Sequence, residues 1–161
     1  FTVRLPACEP PEPAVQALAE GPLPPLRVVI VEDNDDAGEA LRSMLALDQH
    51  TVQVATNGPD GIALILSTQP DLALVDIGLP GLGGLEVAAT LRARGHAGWL
   101  VAVSGYGRAD DLKRSRAAGF DRHLVKPVTA ARIERMLVMA SRPRPAADQA
   151  DNAEQDHGTD Q

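Results

Sequence analysis

Leu72-Ala73-Leu74-Val75-Asp76-Ile77-Gly78-Leu79-Pro80-Gly81 is the stretch that decides how this chain folds. Four apolar residues, Leu72–Val75, run without a break, an acid closes the run, and Leu79-Pro80-Gly81 turns the chain. A short unbroken apolar run bounded by turn residues predicts a strand buried on both faces, as strands inside a parallel sheet are. The pattern that follows, Leu85–Arg94 with Ala88 and Leu91 inward, is helical and is stopped by Gly95. A buried strand followed by a helix is the repeating half of a βαβ unit.

The same alternation extends in both directions. On the N-terminal side, Val28–Val31 is a second unbroken apolar run, and Asp35–Leu47 then places Ala37, Ala40, Leu41, Met44 and Leu45 on one helical face. Thr51–Thr56 alternates, Val52 and Val54 against Gln53. Asn57-Gly58-Pro59 opens a helix with Ile62, Ile65 and Leu66 inward. On the C-terminal side come a strand at Leu100–Val103, a charged helix with a thin apolar stripe at Arg108–Ala118 stopped by Gly119, and a short strand at His123–Val125. Thr129 is placed to cap a last helix that turns Ile133, Met136, Leu137 and Ala140 inward. Five such units predict an α/β, doubly wound parallel sheet. The first, third and fourth runs are apolar throughout and belong inside. The second alternates and the fifth is short, as edge strands do. With right-handed crossovers this fits strand order 2-1-3-4-5, the order known for flavodoxin-like (βα)5 folds, whose ligands bind at the carboxyl ends of the strands.

Composition narrows the class. At 161 residues and 44% apolar, the chain can build one real core, and no run approaches the roughly 18 apolar residues of a membrane helix. A net charge of −7 argues against nucleic acid as a partner, and the single Cys8 allows neither an internal disulfide nor a cysteine-built zinc site. The excess acid lies in the flanks. Residues 7–25 are proline-rich and read as an extended linker, 26–140 as the domain, and 141–161 as a disordered acidic tail. The chain begins at Phe1 rather than Met, which is expected of a piece of a longer protein. His50, His96 and His157 are expected in turns or tail, binding nothing.

Chemistry collects at the predicted strand ends: Glu32 and Asp33 after the first, Asp76 after the third, Ser104 after the fourth, Lys126-Pro127 after the fifth. Carboxylates about 4 Å apart repel by roughly 1–4 kcal/mol per pair, so three acids on one edge call for a cation between them. Oxygen ligands without Cys or His nearby point to Mg²⁺. A lysine and a hydroxyl beside a metal and a carboxylate suit phosphoryl transfer. Lysine is scarce here, only Lys113 and Lys126, so one at a strand end is informative. Gly81-Leu82-Gly83-Gly84 does not match G-x-G-x-x-G, because Glu86 stands at the last glycine's place, and reads as a mobile loop beside the site.

Four motifs now carry a resemblance: Val29-Ile30-Val31-Glu32-Asp33-Asn34, Asp71 through Gly81, Val101-Ala102-Val103-Ser104-Gly105, and Leu124-Val125-Lys126-Pro127. In this order and spacing, residues 27–140 resemble a two-component receiver domain. The resemblance implies that Asp76 is the phosphoacceptor and that Asp33 is a direct Mg²⁺ ligand. It further implies Glu32 acting on the ion through water, the Gly78 carbonyl as a further ligand, Ser104 as the switch hydroxyl and Lys126 as the phosphoryl partner. It also implies a cis bond before Pro127. One position departs from the common pattern: the family's aromatic switch residue, three before the lysine, is here His123. Tyr106 is expected beside the path of attacking water, slowing dephosphorylation.

Phe1-Thr2-Val3-Arg4-Leu5-Pro6 resembles the last strand of a sensor histidine kinase's ATP-binding domain. Followed by a linker and a receiver, residues 1–6 imply the C-terminal receiver of a hybrid histidine kinase. The implied partners are a histidine kinase phosphodonor domain, expected in the same polypeptide, and a histidine phosphotransfer protein, with Arg108, Lys113, Arg114 and Arg116 as a basic docking face. The implied location is cytoplasmic, with no nucleic acid bound and no membrane touched by this segment. Two other classes remain: a phosphate-independent receiver-like binding module, and an aspartate-nucleophile phosphatase, which Gly78 disfavours because such enzymes carry a general-acid Asp there.

Overall fold

A computed structural model describes residues 23–46, 49–105 and 109–144. Ten elements alternate without exception: β1 (Arg27–Val31), α1 (Asp35–Ala46), β2 (Thr51–Ala55), α2 (Gly58–Thr68), β3 (Leu72–Asp76), α3 (Gly84–Ala93), β4 (Trp99–Ser104), α4 (Ala109–Ala117), β5 (Arg122–Val125) and α5 (Ala130–Ala140). All strand pairs are parallel and the order is β2-β1-β3-β4-β5. The unbroken apolar runs are the three interior strands, and the alternating and short ones are the edges, as their patterns predict.

Strand parity divides the core in two. Val28, Ile30, Leu72, Leu74, Val101, Val103 and Leu124 face Leu41 and Leu45 of α1 and Ile133, Leu137 and Ala140 of α5. The intervening residues Val29, Val31, Ala73, Val75, Leu100 and Ala102 face Ile62, Ile65, Val87, Ala88 and Leu91 of α2 and α3. Burying both faces of β1, β3 and β4 fixes their register, because a slip of one residue would move each side chain to the opposite layer.

Local signals succeed unevenly. Asn57 caps α2, its Oδ1 accepting from the Asp60 N–H at 2.9 Å, and Gly95 and Gly119 take positive φ just beyond α3 and α4. Thr129 holds the N-cap position of α5, but its hydroxyl makes no cap bond; its carbonyl instead accepts from Arg132 and Ile133. In α1 the expected inward set is too broad. Gly38, Leu41 and Leu45 are buried, whereas Ala40 and Met44 lie one position off that stripe and are exposed. Gly38 serves where the helix comes close to β2, since a Cβ there would already touch Val54 at 3.4 Å.

Of the glycines after β3, Gly84 is tightly packed. Gly84 is buried at the start of α3, its N–H donates to the Ile77 carbonyl at 3.2 Å, and a Cβ on it would overlap the Asp76 carbonyl oxygen. This is a close approach of α3 to the end of β3, whereas Gly81 is exposed, with a positive φ and open space around it. His50 and His96 follow turns, as expected, but both rings are buried, and His50 Nδ1 accepts from the Leu26 N–H at 3.0 Å.

The readings of residues 1–22, of Cys8 and of the tail from 145, His157 included, lie outside the described residues. Of the linker, Leu23, Pro24 and Pro25 are described, and Leu23 packs on the α1–α5 side of the core. Among the described residues no helix is long and apolar enough to cross a membrane.

Candidate functional site

The parallel sheet delivers five strand ends to one edge, and four of them carry polar chemistry. Glu32 follows β1 on the parity of Val28 and Ile30, and Asp76 closes β3 on the parity of Leu72 and Leu74, so both lie on the α1–α5 side. Ligand oxygens of Glu32, Asp33 and Asp76 come within 4.8 Å of one another. Glu32 is 2% exposed, Asp76 is buried and Asp33 is open to solvent. From the end of β5, Lys126 Nζ donates to Asp76 Oδ2 at 2.7 Å and to Glu32 Oε2 at 2.9 Å. The Gly78 N–H holds the other Asp76 oxygen at 2.7 Å, and the Asn34 N–H donates to Glu32 Oε1 at 3.2 Å. The Lys126–Pro127 peptide is cis, as the resemblance implies.

Charge is not balanced in this cluster. One ammonium serves two carboxylates and leaves Asp33 unserved within the cluster. Burial pushes the Glu32 carboxyl up; the hydrogen bond from Lys126 opposes this, and the Asp76 charge adds to it. For Lys126, burial works against the charged form, but the hydrogen bonds to Asp76 and Glu32 outweigh it and the ammonium is held above its ordinary range. An all-oxygen donor set with more negative than positive charge fits a hard divalent cation such as Mg²⁺.

Ser104 ends β4 on the other side of the sheet, the parity of Leu100 and Ala102. His123 of β5 reaches it: Nε2 lies 2.7 Å from Ser104 Oγ. The second ring nitrogen lies 2.9 Å from Oγ of Ser115, a buried residue of α4. The sequence reading had picked out Ser104 and His123 but missed Ser115, whose signal was its place, three before Ala118, on the thin inward stripe of α4. Tyr106 and Arg108 lie outside the described residues, and Lys113, Arg114 and Arg116 are exposed.

Residues 28–138 match the family model of the response regulator receiver domain. The chain belongs to that family. Among curated relatives, this receiver is 31% identical over 103 residues to the response regulator MprA of Mycolicibacterium vanbaalenii, covering 64% of this chain and 45% of that one. It is 34% identical over 119 residues to a cyclic di-GMP phosphodiesterase of Thermotoga maritima, covering 74% and 32%. The receiver thus spans less than half of either relative. The solved receiver domain of the response regulator NarL of Mycobacterium tuberculosis superposes with a TM-score of 0.69 at 25% identity, over 74% of this chain and 98% of that one. The BeF3-activated receiver domain of Klebsiella pneumoniae RstA gives 0.67 at 26%, over 72% and 98%.

Proposed function

We propose that this receiver accepts a phosphoryl group on Asp76 from a kinase phosphohistidine and so relays or switches a two-component signal. The observation that carries the reading is the convergence of Glu32, Asp33 and Asp76 with the Lys126 ammonium bridging the two buried acids. In the transfer, an Asp76 carboxylate oxygen forms an O–P bond as the N–P bond of the phosphohistidine breaks, and the departing imidazole keeps the electron pair. The Gly78 N–H, already on Asp76 Oδ1, orients the carboxylate. Lys126 moves with the negative charge from carboxylate to phosphoryl oxygen, and the Ser104 hydroxyl is the donor for a second oxygen. Asp33, Asp76 and the Gly78 carbonyl would hold Mg²⁺, with Glu32 acting through water; the ion supplies neutralisation of the phosphoryl oxygens.

The reading extends to the chain's setting. The run Phe1–Pro6 supports a place C-terminal to a histidine kinase core in one cytoplasmic hybrid protein. The exposed Lys113, Arg114 and Arg116 support docking of an acidic partner surface on α4, such as the kinase phosphodonor domain or a histidine phosphotransfer protein.

Intact mass after incubation with Mg²⁺ and acetyl phosphate tests the core of the proposal. The expected result is one phosphoryl group added to the wild type and none to Asp76→Asn. A wild type that gains nothing, with Mg²⁺ binding also absent, would favour the phosphate-independent binding module.

A further inference from the structure

At the amino ends of the strands, opposite the acid cluster, lies a cavity of about 480 Å³, a volume in the range of small-molecule sites. Its walls come from the end of α3, the turn after it, the end of α4 and Arg144. Ala89, Ala93 and Ala118 line it with small apolar side chains. Among the described residues that line it, the ionisable ones are Arg92, His96 and Arg144, and none is an acid.

His96 has no evident structural use there. It is 3% exposed, and neither ring nitrogen has a hydrogen-bond partner. A buried imidazole in that state is costly, and a leucine would fill the same place without the cost. The ring fits because Gly98 lacks a side chain, since a Cβ would come within 2.9 Å of Nε2. Burial first, then the charges of Arg92 and Arg144, hold its pKa down to about 4. At neutral pH it is therefore an uncharged ring with one N–H to give.

Arg92 prepares the same wall for negative charge. Both α3 and α4 end at the cavity, and the carbonyls of helix C-termini ordinarily repel an anion. Arg92 covers the carbonyls just past both ends. Its Nη1 donates to His96 and Gly98 at 2.7 and 2.9 Å, and its Nε to Gly119 at 3.0 Å. A fourth N–H, on Nη2, goes to Asp121 Oδ2 at 2.7 Å, and the other Asp121 oxygen accepts from Arg144 Nη2 at 2.7 Å. A guanidinium has five N–H groups, so Arg92 keeps one on Nη2 for a ligand.

We propose that this cavity binds a small organic oxyanion, a carboxylate, phosphate ester or sulfonate with a compact apolar body. Its oxygens accept from the His96 ring and from Arg92 Nη2, the Arg144 guanidinium adds positive charge, and the apolar body lies against the alanines. The site stands apart from the acid cluster and does not depend on the phosphoacceptor reading of Asp76.

Benzenesulfonate serves as the probe, because it remains an anion throughout the pH range used. Titrated into the nitrogen-15-labelled full chain at pH 7 without Mg²⁺, it should shift the amides of Gly95, Gly98 and Gly119 saturably. Methanesulfonate, which lacks the apolar body, and benzyl alcohol, which lacks the charge, should each bind about tenfold more weakly or worse, the scale of one lost charged hydrogen bond or one buried ring. Bound anion should raise the His96 pKa by about one unit, the mark of a tenfold preference for the charged ring. His96→Leu should weaken binding about tenfold. Leucines at two exposed positions of the lining, Ala89→Leu with Ala93→Leu, should abolish binding while leaving the fold intact. Asp76→Asn should bind as the wild type does. No saturable shift, equal binding of either comparison compound, an unmoved His96 pKa, or full binding by the double leucine variant would each overturn the site. Binding lost in Asp76→Asn would put the anion at the carboxyl edge and overturn it as well.

Discussion

The two ends of the sheet carry opposite solutions to one problem, that of keeping charge inside a small domain. At the carboxyl edge a single ammonium, Lys126, is shared by Glu32 and Asp76, with Asp33 nearby. At the amino edge, some five residues or about 16 Å away, a single carboxylate, Asp121, is shared by two guanidiniums. Arg92 Nη2 donates to one Asp121 oxygen at 2.7 Å and Arg144 Nη2 to the other at 2.7 Å. Asp121 Oδ2 also accepts from the Leu100 N–H at 2.8 Å. Arg92 spends its other donors on the carbonyls of Gly119, His96 and Gly98. In the amino-edge cluster both Asp121 oxygens are engaged, and the contacts tie α3, β4, β5 and the segment after α5 into one unit. The carboxyl-edge cluster is short of positive charge. It is the one that can gain by taking up a cation, and the one whose charge distribution changes when a phosphoryl group arrives.

Removing the central acid from each cluster should break the symmetry most visibly. Asp121→Ala leaves two guanidiniums, 12% and 7% exposed, facing each other without their counter-ion. Loss of one partner from a buried ionic group costs about 3–5 kcal/mol, and urea unfolding should show a drop of that size. Asp76→Asn takes away one of several crowded acids and leaves Lys126 on Glu32, so its stability should stay within about 1 kcal/mol of wild type. Equal losses at the two positions would remove the distinction drawn between the clusters.

Acid should separate the ends next. His96 is 3% exposed beside the Asp121 cluster, and neither ring nitrogen has a hydrogen-bond partner. Burial first, then the charges of Arg92 and Arg144, hold its pKa down to about 4, against 6.5 ordinarily. Above pH 6.5 the ring is neutral folded and unfolded, and stability is at its full value. Between 6.5 and 4 the unfolded chain binds the proton and the folded one does not, so stability falls with pH, by up to about 3 kcal/mol for this shift. Urea unfolding at pH 7.5 and pH 4.5 should show the decline in the wild type. In His96→Leu it should be smaller by about that amount, and an identical decline would discount the histidine.

Most of the carboxyl edge was legible in sequence, and most of the amino edge was not. The acids and the lysine could be read because each ends an apolar run, and a parallel sheet gathers such ends whatever the loops do. Asp121 and Arg92 offered no such marker. They are 29 residues apart on a turn and a helix, where a charge ordinarily faces water, and their meeting depends on how α3 leans against the start of β4 and β5. Ser115 was hidden for a related reason: a serine among charges reads as solvated until its place under the helix is known. Met44 and Ala40 erred the other way, since apolar residues on adjacent helical positions describe a stripe wider than the sheet can cover. The glycines at 81–84 signalled freedom by type, whereas the structure uses Gly84 for contact with the Asp76 backbone.

The smallest effect sharpens the comparison from the side of the unsaturated cluster. If Glu32, Asp33 and Asp76 together lack a positive charge, Mg²⁺ should bind the folded chain and not the unfolded one. At a concentration ten times its Kd the ion would then stabilise by about 1.4 kcal/mol. Thermal unfolding with and without Mg²⁺ should register the gain in the wild type. Asp33→Ala should lose it, because the exposed acid makes no contact with Lys126 and contributes through the ion alone. Asp121→Asn should retain the gain in full despite its lower starting stability, since the amino-edge cluster has no part in holding the cation. A Mg²⁺ effect that survives Asp33→Ala, or one that disappears with Asp121→Asn, would mean that the ion acts on the protein's general charge rather than at the carboxyl edge. The excess of three carboxylates over one ammonium there would then be left without a counter-ion of its own.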